Sequence, residues 1–262
     1  SLTATNVAAL TEAQVQALTA AQVAAMTITD VTALKDTQLA AFDATQLGAL
    51  STSQVAALST TSLAALDAAQ IGALSSTQAR ALTATQIAAL NAADVAEFTE
   101  TQLAAFSTTQ VAAFSATNVT ALADTQIAAL STAQVARLTT AALSALDINQ
   151  VQAFTTAQVK AISATQMTAL NATDVGEFTD TQLAALTATQ IQAWSNTVIS
   201  DLATTRWAAL DVTQIPSFTA TQLDHLSTTN IQALNSTQLY AFTSTQIASL
   251  DGDQIEAYLG AV

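Results

Sequence analysis

The chain has 262 residues and is 51% hydrophobic, yet it is only 5% aromatic and 9% charged, against about 25% charged in an ordinary soluble domain. It has no Cys and one His, which excludes disulfide staples, thiolate metal sites and any multi-histidine metal centre. A net charge of −14 argues against nucleic acid and anionic membrane surfaces as partners, and no apolar run approaches the roughly 18 residues of a bilayer span.

From the N-terminus, Leu2, Leu10, Leu18, Met26, Leu34, Phe42 and Leu50 recur every eight residues, and the series runs without a slip to Leu250. Residues 2–257 form 32 octads with no insertion or deletion. With the Leu/Phe residue as position one, position two is Ser, Thr, Asp or Asn in 29 octads; Lys35, Ala123 and Ala203 are the exceptions. Position five is Gln in 22 octads, position six is always apolar, and position eight is Ala in 25.

Each octad carries a complete helix-start signal. A polar cap followed three residues later by Gln is a capping box, and the apolar residues at positions one and six are its hydrophobic staple, as in Leu82, Thr83, Gln86 and Ile87. A helix that restarts every eight residues also stops every eight. The predicted elements are therefore helical pieces of about five or six residues, with a Ser or Thr in extended dihedrals at each corner. Of the 19 acidic residues, 14 lie at positions two to five, and Arg80, Arg137 and Lys160 lie at positions seven or eight, as the helix dipole prefers.

One octad buries too little apolar surface to offset its own ordering entropy, so neighbouring coils must bury the rest. The fold class is an all-α solenoid of short capped helices over residues 1–262, with 258–262 as a terminal cap or truncation. Positions one and six face inward, and positions three and seven face solvent. A β-solenoid is the alternative, since Val, Ile and Thr recur regularly; the abundance of Ala and Gln and the scarcity of Gly weigh against it. A single continuous helix would rotate its apolar stripe by roughly 80° per octad and waste the internal caps.

The irregular segments follow in chain order. LNAADVAEFTETQLAA from Leu90 returns as LNATDVGEFTDTQLAA from Leu170, 80 residues on. Block duplication accounts for it. The rival reading is a weak Ca²⁺ surface site on Asp94, Glu97 and Glu100 and again on Asp174, Glu177 and Asp180. Thr-x-Thr pairs such as Thr83–Thr85 and Thr187–Thr189 suit an ice-binding ladder only on a flat β face. Residues 194–217 are the least regular stretch; a tolerated kink or change of curvature accounts for it, and the rival reading makes Trp194, Arg206 and Trp207 an interaction patch, because Trp and Arg anchor interfaces. Asp224–His225 superficially suggests a catalytic pair, but helix neighbours do not face each other. Asp251, Gly252, Asp253 and Glu256 read as a polar terminal cap ahead of a Ca²⁺ loop. No catalytic triad, phosphate loop, paired catalytic carboxylates or zinc motif is present; the reading is not an enzyme, with no cofactor.

The consensus L-[ST]-x-[TA]-Q-[VIL]-x-A resembles the octapeptide tracts of very large bacterial secreted or surface proteins of adhesin-like or haemolysin-like type. LTATQIAAL at Leu82, LSTAQVARL at Leu130 and LTATQIQAW at Leu186 carry the resemblance, which covers essentially the whole chain. It implies a fragment of a longer exported protein, extracellular or at the cell surface, in which such repeats are spacers beside Ca²⁺-binding modules and a C-terminal export signal. The expected function is a structural spacer or scaffold. The alternatives are a self-assembling filament subunit and a module whose repeated face binds a glycan, a protein or ice.

Overall fold

The computed structural model describes residues 3–261. Every described octad forms one helix, and every helix begins at position three of its octad. The helices run from four to six residues, apart from the last, Gly252–Ala261, which is ten residues long and absorbs the tail beyond the final octad. There is no strand among the described residues, so the all-α solenoid-like reading holds and the β alternative does not.

The caps are built as the local signal demands. In helix Ala84–Ala89, Gln86 N donates to Thr83 Oγ1 at 3.1 Å, and Thr83 N donates to Gln86 Oε1 at 2.7 Å. Where the cap hydroxyl is missing, half of the box survives: Lys35 N and Ala123 N still donate to Gln38 and Gln126 Oε1, at 2.7 Å each. Each corner needs two extended residues in succession. Leu82 (φ −58°, ψ 136°) ends one helix, and Thr83 (φ −76°, ψ 156°) caps the next. No described residue has positive φ. That is why the 31 corners between the described helices are made with so few glycines.

Tertiary contacts divide the chain into two compact units, Ser1–Leu138 and Thr139–Val262. Within each, a helix packs on the helix three octads away. Ser76–Ala81 lies on Glu100–Ala105 in the first unit, and Ala220–Leu223 lies on Ser244–Ser249 in the second. Three helices of one eight-residue octad each therefore make a coil of 24 residues. Positions one and six fill its interior, as for Leu82, Ile87, Leu90 and Val95. In the first unit Phe98, Phe106 and Phe114 from successive octads meet there, with ring centroids 5.1 and 6.0 Å apart.

The coils are joined through position five. Gln86 Nε2 donates to the carbonyls of Val55 and Leu58, at 3.0 and 2.8 Å, on the preceding coil. The same pair of bonds, to the residues 31 and 28 earlier in the chain, recurs for Gln54, Gln102 and Gln134 in the first unit. It recurs for Gln190, Gln222 and Gln254 in the second. One buried amide thus caps its own helix with its oxygen and fastens it to the coil below with its nitrogen. The carbonyl 28 residues back lies past the end of its short helix, where intrahelical partners run out, whereas the carbonyl 31 back also accepts from its own chain, as Val55 O does from Leu58 N at 3.2 Å.

Candidate functional site

The irregular stretch in the second unit departs from the rule at several adjacent positions. Trp194 takes position one and Trp207 position six, so both point inward; they are 3% and 1% exposed. Their ring centroids lie 6.1 and 5.2 Å from that of Phe218. Neither indole N–H finds an acceptor among the described residues. The two Trp side chains are therefore core, and a partner cannot touch them. Arg206 is half-exposed. It stands at position five, and its guanidinium donates to the Phe178 carbonyl at 3.2 Å, the carbonyl a Gln there would use. It also pairs with Asp180 at 2.8 Å. Of the three patch residues, only Arg206 reaches the surface, and it is occupied with the coil below. Pro216 lies in the 3₁₀ helix Val212–Ser217, the one helix of that kind among the described residues, in keeping with a ring that removes a backbone donor.

Beside Arg206 an open groove of about 870 Å³ crosses three coils of the second unit. Ile148, Asn171, Glu177, Asp201 and Ala203 are among its walls. It combines one exposed Ile with two carboxylates and an already paired guanidinium.

The acidic block does not form a Ca²⁺ ligand set. Among the described residues no three Asp, Glu, His or Cys side chains converge closely enough to hold a metal ion. Asp94 is buried at position five and spends one oxygen accepting from Asn91 N at 3.0 Å. Glu100 and Asp180 sit in the first turn of the next helix and are exposed. The corner between the helices separates the carboxylates that lie close in sequence. Asp251 is likewise a cap, accepting from Gln254 N at 2.8 Å.

His225 is exposed, with Nδ1 3.0 Å from the Thr221 carbonyl oxygen. Glu97 and Glu177, at position eight, entered the sequence reading only as members of the weak Ca²⁺ surface site. Burial pushes both carboxyls above the ordinary Glu range, helped by Asp94 and Asp67 for Glu97 and by Asp174 and Asp147 for Glu177. The available signal was a Glu in a column that is otherwise mostly Ala. No helix is long and apolar enough to cross a membrane among the described residues. No family model, curated protein or solved structure matches the chain.

Proposed function

We propose that this chain is a structural repeat module, a spacer or scaffold that belongs to an extracellular or cell-surface fibre. The observation that carries the reading is the position-five ladder. From Gln38 onward the position-five Gln side chains are buried, and they hold one coil on the next, as with Gln102 at 2.9 and 2.6 Å from the Ile71 and Leu74 carbonyls. Because each octad fastens to its predecessors by the same rule, coils can be added without designing a new contact, which is what a spacer requires. The resemblance to octapeptide tracts and the acidic, cysteine-free composition are consistent with this role and location.

Electron microscopy of the purified chain over a concentration series tests it. Particles of one fixed length at every concentration support a spacer. Filaments that lengthen with concentration would replace it with a self-assembling subunit, because heterologous end contacts need not close. Inserting three further octads inside one unit should lengthen the particle by one coil. An insertion that leaves the length unchanged or unfolds the chain would overturn the reading.

A further inference from the structure

The ladder gives each coil two unlike faces. Position five donates toward the coil before it, and the carbonyls at positions six and one accept from the coil after it. Gln14 and Gln22, in the first coil, lie exposed, whereas every position-five Gln from Gln38 onward is buried. Their Oε1 atoms accept from Thr11 N and Thr19 N at 2.8 Å each, as the capping box requires. Among the described residues neither Nε2 has an acceptor. Leu10 and Leu18, at position one, are only half-buried here. The N-terminal face of the first unit therefore sets two free amide donors beside two half-covered leucines.

The C-terminal face of the second unit is finished differently. Helix Gly252–Ala261 turns no corner after Ala257, because Leu259 stands where the repeat has its polar cap and supplies no restart. The helix runs on, and it contacts helix Ser236–Tyr240 in addition to its regular partner Thr228–Ala233. Tyr258 is carried inward. Its ring lies 5.8 Å from that of Phe242, and its hydroxyl donates to the Leu239 carbonyl at 3.4 Å. In the register of the ladder, Leu239 and Phe242 offer the carbonyls that a following coil would use. The Tyr258 hydroxyl takes the first of these, and its ring packs on the Phe242 side chain. Ile247 and Leu250, the next pair, are left half-buried, where positions six and one are elsewhere buried.

We propose that helix Gly252–Ala261 is an end-stop, and that the N-terminal face is a docking surface for a second copy of this chain when that stop is removed. Continuity of the ladder identifies the occupant. Gln14 of the second copy would donate to the Leu239 and Phe242 carbonyls, Gln22 would donate to those of Ile247 and Leu250, and the contact would complete the burial of Leu10 and Leu18. A contact between unlike faces need not close, so each added copy presents a fresh face. Open coils share this hazard with open sheet edges, and a capping element suppresses it. The stop lets a chain of uniform coils remain a single module. The inference rests on the ladder bonds and is independent of the spacer role.

The test is sedimentation velocity over a concentration series. The full chain should sediment as one species throughout. A variant ending at Ala257 keeps Gln254 with its bonds to Leu223 and Leu226, and it should form oligomers that grow with concentration. Adding Gln14→Glu/Gln22→Glu to that variant should restore a single species, since Glu preserves the capping box but sets an oxygen against each carbonyl. If circular dichroism shows that the shortened chain loses helicity, residues 258–262 are replaced by a second copy of residues 2–25. That puts Leu in the place of Tyr258 and again leaves the face open, so this chain should grow as well. Open-faced variants that stay single, or oligomers that persist with both Glu substitutions, overturn the docking surface and leave the spacer reading standing. A full chain that already grows with concentration overturns the end-stop and the spacer together.

Discussion

The ladder predicts a specific cost for removing one amide. Gln222 is 3% exposed. Its Oε1 accepts from Thr219 N at 3.0 Å, and its Nε2 donates to the Ile191 and Trp194 carbonyls at 2.8 and 3.1 Å. Each net hydrogen bond contributes about 0.5–1.5 kcal/mol, and a buried group stripped of its partner costs about 1–3 kcal/mol. The better helix propensity of Ala returns only a few tenths of a kcal/mol, roughly. Gln222→Ala should therefore destabilise the second unit by about 2–4 kcal/mol, which is roughly 1–2 M in urea midpoint for a unit of this size. Trp fluorescence is the probe, since Trp194 and Trp207 both lie in that unit and one of them offers the carbonyl in question. Gln232, exposed on the same unit, is the control, and Gln232→Ala should stay within about 0.5 kcal/mol of wild type. Gln222→Glu separates the two halves of the amide. It keeps the cap-accepting oxygen but sets a second oxygen against two carbonyls, so at neutral pH it should cost more than Ala and recover in acid. If Gln222→Ala matches the control, or Gln222→Glu matches wild type at neutral pH, the ladder bonds contribute nothing and the argument fails.

Further predictions follow the same register. Asp94→Gln should restore the missing donor to the Leu63 and Leu66 carbonyls and stabilise the first unit by about 1–2 kcal/mol, read by urea unfolding. Pro at Ala84, the first residue of its helix, should be tolerated; Pro at Gln86 removes both the cap bond and the two ladder bonds and should abolish cooperative melting of the first unit. Deleting residues 83–90 joins Leu82 to Asn91 in frame and should leave helicity per residue unchanged by circular dichroism, whereas deleting 83–86 should reduce it sharply. Thr213 holds the Asp211 carboxyl below its ordinary value of 3.8 through its hydroxyl and its backbone N–H. That contribution is present above 3.8 and is lost as pH falls through the lowered value. In stepwise acid unfolding Asp211→Asn should therefore show a shallower acid limb than wild type.

Much of the fold is legible in the chain because its signals are local. A Ser or Thr cap, a Gln three residues on and an apolar staple define a helix start whatever surrounds them, and every described helix begins at position three, including Thr204–Ala208, whose octad lacks both the polar cap and the Gln. Positions one and six were assigned inward from their apolarity alone, and Leu82 and Ile87 are buried as that requires. The alternative reading of Trp194 and Trp207 as contact residues set that logic aside, and both side chains are buried. Residue type suggested an interface, but each occupies an inward position of its octad, and position decided. The absence of Glu at position five was a readable clue that went unused. Glu completes a capping box as well as Gln does, so a column with 22 Gln and no Glu asks for a donor as well as an acceptor.

What the sequence determined by itself is thus the start and the inward face of each helix, and its length to within about a residue except in the ten-residue Gly252–Ala261. Three helices per coil, the amide bonds to the residues 28 and 31 earlier, and the guanidinium of Arg206 standing in for a Gln were decided by tertiary structure. The physical reason is degeneracy. Identical octads repeat identical local instructions, so a period of eight is compatible with many numbers of octads per coil. Only the angle turned at each pair of extended corner residues, and the burial gained when one coil meets the next, selects among them.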